Sequence, residues 1–218
     1  MILQRLLAGF LLALLVAGCS SVSPEDYTTL DSLYQQILVE IEDGDYTDAE
    51  VLISALKSEY PFSPQAVEVE LFRADIEYDK EEFELAASAY RRFFEMHPAH
   101  EKLPYALYKR ALSYRAMMDS EDRDQLPTKQ MVETAKTLLA AYPQSEYADE
   151  AEKMVSEGRK SIALHELYVA EYYLKRDNYS ASAGRARIVI EQYGDTGLGG
   201  RAKAILEKAN AAAAEEGR

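Results

Sequence analysis

Few side chains in this 218-residue sequence are suited to covalent or metal chemistry, and those few are scattered. Cys19 is the only cysteine, so neither an intrachain disulfide nor a set of thiolate metal ligands can be assembled. His97 and His100 form a pair in His97-Pro98-Ala99-His100. Pro98 between them must end a helix, and no acidic residue stands at a ligand spacing, so the expected role is a polar corner between helices. His165 falls inside a helical pattern, where packing is expected. Gly194–Gly200 (GDTGLGG) carries the glycines of a phosphate loop, yet it follows a helical pattern rather than a strand and reads as a polar turn. With no Gly-x-Ser-x-Gly elbow and no Ser/His/Asp constellation, the sequence reads as non-enzymatic.

The surroundings of Cys19 give that residue a different role. Arg5 precedes an apolar run from Leu6 to Ala17, the layout of a secretory signal. The run is shorter than the roughly 20 residues of a bilayer span. Val16-Ala17-Gly18-Cys19 resembles the lipobox of bacterial lipoproteins. That resemblance implies a signal peptide over residues 1–18 and a mature N-terminus at Cys19 carrying a diacylglycerol and an N-acyl, palmitate-type chain. Two or three chains anchor firmly where one binds only marginally. An ordinary secretory signal with a chance cysteine is the alternative. Ser20 resembles the outer-membrane sorting choice, and residues 19–26 form the lipidated end and a polar tether. The expected location is the outer membrane, lipid-anchored and facing the periplasm, with no other cofactor.

The elements downstream repeat. With 38 acidic against 24 basic residues and a net charge of −14, the chain repels nucleic acid and anionic headgroups. Tyr46, Phe83 and Tyr179 each stand 15 positions before Pro61, Pro98 and Gly194, and each is followed three residues later by a small one, Ala49, Ala86 or Ser182. A fourth stretch runs from Met131 to Tyr142-Pro143. Upstream of three of them lie Ala74 with Tyr78, Ala111 with Tyr114, and Ala170 with Tyr173, each pair on one helical face. Glu42–Asp45, Asp79–Glu82 and Lys175–Asn178 read as turns inside helix pairs. Helix pairs of about 34 residues with this small-and-aromatic pattern are tetratricopeptide repeats. The expected fold is all-α, a right-handed superhelical solenoid of four to five helix pairs. Residues 144–166 read as one long bridging helix, and a helix from about Gly199 to Glu216 completes a fifth unit or caps the end.

Behind the lipobox, Tyr60-Pro61-Phe62-Ser63-Pro64, Tyr105–Tyr114 (YALYKRALSY), Tyr142–Tyr147 (YPQSEY) and Val169–Tyr173 (VAEYY) occur in an order that resembles the BamD family of β-barrel assembly lipoproteins. The resemblance covers nearly the whole chain. It implies that repeats in 27–143 form a groove for the targeting signal of unfolded outer-membrane proteins, with Tyr60 and Phe62 in it. It implies that 144–218 docks on a POTRA domain of BamA through Tyr173, Arg176 and Arg185, and that other lipoproteins of the complex, such as BamC, bind along the surface. Read from the residues alone, Phe62 equally suits an inter-repeat corner and Tyr173 a core slot. The segment Met117–Gln130 is shorter than the family's usual insertion, and the terminal segment after Ala214 is short for a full fifth repeat. A periplasmic repeat lipoprotein coordinating cell-envelope or peptidoglycan synthesis would share lipobox and repeats without those strings.

Overall fold

The computed structural model describes residues 22–216; the signal segment and Cys19 lie outside them. Among the described residues there are nine α-helices and no strand. They are α1 (Leu30–Asp43), α2 (Tyr46–Glu59), α3 (Pro64–Asp79), α4 (Phe83–Met96), α5 (Leu103–Ala116), α6 (Leu126–Ala141), α7 (Ala148–Leu174), α8 (Tyr179–Gln192) and α9 (Gly199–Glu216). This is the helical-repeat fold that the periodicity implies. Two compact units are present, the first ending at Val69 and the second starting at Glu70, inside α3. The boundary expected at 143/144 falls within the second unit, in the turn between α6 and α7. None of the described helices is long and apolar enough to cross a membrane.

The turns inside three helix pairs share one geometry. Gly44, Glu81 and Asp177 all adopt left-handed backbone, at φ 78°, 62° and 60°. The residue after each closes back onto the preceding helix: Asp45 N–H donates to Glu40 O at 2.8 Å, Glu82 to Glu77 O at 2.9 Å, and Asn178 to Tyr173 O at 3.0 Å. These are Schellman closures, which satisfy carbonyls that a helix end leaves without partners. Asp45 and Asn178 then cap α2 and α8 with their side chains. At the other end, Tyr60, His97, Tyr142 and Tyr193 are C-caps of nearly the same conformation. Pro61, Pro98 and Pro143 follow the first three, and Gly194 follows Tyr193. A proline pushes the residue before it out of helical backbone, which sets the boundary.

Small residues allow the close helix approach. Ala49, Ala86 and Ser182 are fully buried, as are Ala74 and Ala170, with Ala111 at 1% exposure. In the first unit α1 packs on α2; in the second each helix from α4 to α9 packs on the next. The bridging helix is longer than expected: α7 is continuous for 27 residues and includes the first helix of the fourth pair. Its first half joins a core with Leu107, Met131 and Leu138, and its second half a core with Val189, Ala202 and Ile205. At Gly158 it comes so near α6 that an added Cβ would lie 2.4 Å from Val132 Cγ2. Helix α6 starts at Leu126, five residues before Met131, leaving 117–125 as the connection.

Candidate functional site

In the first unit the segment after α2 is held as a rigid turn. Tyr60 O accepts from Ser63 N–H at 3.0 Å and from Ser63 Oγ at 2.8 Å, and Ser63 Oγ in turn accepts from Ala66 N–H at 3.1 Å at the start of α3. The Tyr60 hydroxyl donates a long bond, 3.4 Å, to Thr28 O. Phe62 rides on this turn at 100% exposure, so it does not pack the corner. No other large apolar side chain among the described residues is so exposed. Burying such a ring is worth about 1.5–3 kcal/mol, which the chain leaves unused on folding.

The second group sits on the α7–α8 hairpin. Arg185 on α8 donates through Nη1 to Glu166 Oε2 at 2.9 Å and to Oε1 at 3.3 Å, so it has an internal partner that spacing did not reveal. Tyr173 is half-buried and meets Tyr172 edge-on, with ring centroids 5.7 Å apart. Arg176 is exposed, its guanidinium 4.6 Å from the Tyr172 centroid. The structure therefore brings Tyr173, Arg176 and Arg185 onto one hairpin and adds Tyr168 and Tyr172, both exposed, which sequence reasoning passed over. Their spacing of four, away from the buried face of Leu167 and Ala170, was the available signal.

A cleft of about 540 Å³ opens in the second unit between α3, the start of α5 and the α6–α7 turn. Phe72, Tyr105 and Tyr147 line it with Asp75, Lys102 and Glu146, and Tyr108 stacks on Tyr147 at 4.6 Å. Asp75 is the polar hub of its wall. Its Oδ1 accepts from the hydroxyls of Tyr90 and Tyr105, and Lys109 Nζ lies 3.4 Å away. Burial first, then the Asp75 charge, pushes both tyrosine hydroxyls well above the ordinary tyrosine range. A carboxylate so fully supplied with donors is a structural anchor rather than a general base. Aromatic walls with charged rims suit an extended segment bearing an aromatic side chain.

The histidines form the corner expected of them. His97 Nε2 lies 2.9 Å from Glu70 Oε2, His100 Nδ1 accepts from Lys102 N–H at 3.1 Å, and Phe93 packs on both rings. His165 Nδ1 donates to Glu121 O at 2.7 Å and pins the 117–125 connection to α7. The one close acidic trio among the described residues, Glu40, Asp45 and Asp48, is occupied with Gln36, the α2 cap and the Val22 amide.

Comparison with known proteins agrees with this picture. A family model described as YfiO, outer membrane lipoprotein, matches residues 27–217. The outer membrane protein assembly factor BamD of Xylella fastidiosa (strain 9a5c) is 31% identical over 205 residues, covering 88% of this chain and 69% of the relative. BamD of Vibrio cholerae serotype O1 is 30% identical over 202 residues, 87% of this chain and 83% of the relative. BamD of Neisseria gonorrhoeae is 29% identical over 224 aligned positions, 95% of this chain and 84% of the relative.

Proposed function

The chain belongs to the outer membrane lipoprotein family YfiO and is an outer membrane protein assembly factor, and on that premise we propose that it works as a non-enzymatic scaffold. In this reading Cys19 carries the acyl chains that hold the repeats on the periplasmic face of the outer membrane. The Tyr60-Pro61-Phe62 turn meets the targeting signal of an unfolded outer-membrane protein. Tyr173, Arg176 and Arg185 dock on a POTRA domain of the barrel subunit BamA, leaving other surface for further lipoproteins of the complex.

The observation that carries the reading is the rigid turn at Tyr60–Ser63 with Phe62 wholly in solvent. A large apolar side chain fixed outward, at no benefit to the fold, is a contact left available for an apolar group of a partner. The recognition surface is held by backbone hydrogen bonds, so binding does not have to order it first.

The test uses the full lipidated chain in detergent. A photoreactive residue at position 62 should cross-link a peptide carrying an outer-membrane protein's terminal strand. The same preparation should retrieve the barrel subunit. Retrieval without cross-linking would discard the Phe62 assignment alone, and failure to retrieve the barrel subunit would discard the scaffold reading.

A further inference from the structure

The segment ahead of α1 is fastened along α2 instead of hanging free. Val22 N–H donates to Asp48 Oδ2 at 3.0 Å at the start of α2, and the Tyr60 hydroxyl at the far end of α2 donates to Thr28 O at 3.4 Å. Between these two bonds Pro24–Asp26 forms a 3-10 turn that packs on α2. It is closed by Asp26 N–H on Ser23 O and Tyr27 N–H on Pro24 O, at 3.1 Å each. Val22, Pro24 and Tyr27 are partly buried while Ser23, Glu25, Asp26 and Thr28 are exposed, so this strap turns its larger apolar groups inward. The lengths agree: six positions of chain reach at most about 20 Å, and the twelve positions from Asp48 to Tyr60 rise about 18 Å. The strap therefore runs the length of α2, and Thr29 then caps α1.

This geometry shortens the link to Cys19. Residues 19–26 read as a polar tether from sequence, yet Val22 is already fixed, and Cys19 stands three positions before it. Three residues span at most about 10 Å. The chain leaves beside the α1–α2 turn, where Glu42, Asp43 and Asp45 are exposed, and the strap itself turns Glu25 and Asp26 outward. Anionic headgroups repel such a surface, so adsorption does not hold it at a bilayer, and the side from which the chain leaves does not lie flat. The length of the link sets the height.

We propose that residues 22–28 are a docked strap that makes the α1–α2 turn the membrane-proximal edge of the first unit, facing the headgroup layer of the leaflet that holds the acyl chains. This rests on the reading of Cys19 as the anchor. The strap keeps the start of α2 within about 10 Å of the headgroups and, because α2 adds about 21 Å, the Phe62 turn within about 30 Å. Tyr60 joins the two devices: its hydroxyl holds the strap, and its carbonyl holds the turn that carries Phe62. A segment met by Phe62 is thus met at a bounded height above the membrane surface.

The test uses the full lipidated chain in vesicles of phosphatidylethanolamine and phosphatidylglycerol, with an energy acceptor on some headgroups. Cys19 is the only cysteine and is taken up by lipid, so Thr47→Cys and Ser58→Cys each accept one fluorophore, at exposed positions near the two ends of α2. The label at 47 should read nearer the headgroups than the label at 58, by up to about 16 Å along the helix. Asp48→Ala, or about ten Gly/Ser residues inserted between Ser21 and Val22, should move label 47 outward by about 10 Å or more, since a flexible chain of that length averages roughly 18 Å end to end. The insertion leaves every strap contact in place, so it serves if Asp48→Ala disturbs α2. Lowering the salt should raise both variants further and leave the parent chain where it is. Equal readings at 47 and 58, or a label 47 that neither change moves, would overturn the strap while the anchor reading survives. If the chain washes off the vesicles, the anchor reading falls and takes the strap's membrane role with it.

Discussion

Arg185 Nη1 on α8 stands 2.9 Å from Oε2 of Glu166 on α7, a carboxylate whose side chain is only 10% exposed. The arginine therefore serves the fold, whatever it also does for a partner. Arg185→Ala should cost about 1–3 kcal/mol in chemical denaturation, because it leaves a nearly buried carboxylate without its donor. Adding Glu166→Gln should recover part of that loss. An Arg185→Ala protein as stable as wild type would show that the pair contributes nothing, and loss of partner binding by that variant would then report on docking alone.

The tyrosine pair on Asp75 sets an alkaline limit. Both hydroxyls are held above the usual tyrosine value of about 10 in the folded chain. A raised folded value means that the stabilisation is complete below about pH 10 and is lost as pH rises beyond it, since the unfolded state then releases protons that the folded state keeps. The melting temperature should fall steeply above pH 10, and Tyr105→Phe should fall less steeply. Tyrosinate absorbance should show Tyr90 and Tyr105 ionising only as the protein unfolds. Ionisation of all tyrosines near pH 10 in the folded state would refute this.

Much of the fold was legible because its signals are local. The aromatic at the start of α2, α4 and α8, the small residue three later and the proline or glycine at the far end each reflect one backbone event in the structure. The candidate site was legible only in part. Tyr60, Phe62 and Tyr173 came from ordered strings and Arg176 and Arg185 from the resemblance those strings carry, whereas Glu166 under Arg185 and the Asp75 hub join residues 19, 15 and 30 positions apart, pairings that helix packing decides. Exposure was equally invisible: Tyr172 and Tyr173 are neighbours of the same type, and only the rotation of α7 against α8 and α9 turns one outward.

The turn geometry predicts a gain in stability. Glu81 and Asp177 occupy left-handed backbone that a side chain other than glycine adopts at a cost of about 1–2 kcal/mol, less for aspartate. Glu81→Gly should therefore stabilise by about 0.5–1 kcal/mol after the entropy that glycine gives back to the unfolded chain, and Asp177→Gly by less. Gly44→Ala should destabilise by a similar amount. Urea midpoints at constant slope decide the matter, and a destabilised Glu81→Gly would mean that the glutamate side chain contributes more than its backbone costs.

Gly158 marks the closest approach of α7 to α6. A Cβ there would fall 2.4 Å from Val132 Cγ2 and 2.8 Å from Met131 Cε, and both neighbours are buried, so neither can swing into solvent. Gly158→Ala should therefore destabilise by about 1–3 kcal/mol, although alanine is the better helix former by roughly 1 kcal/mol. Combining it with Val132→Ala should recover part of the loss by vacating the space the new methyl needs. Denaturation of the two single variants and the double gives the coupling directly. Additive losses would show that the helices shift apart instead of sharing one volume, and a neutral Gly158→Ala would show that the approach is looser than these distances require.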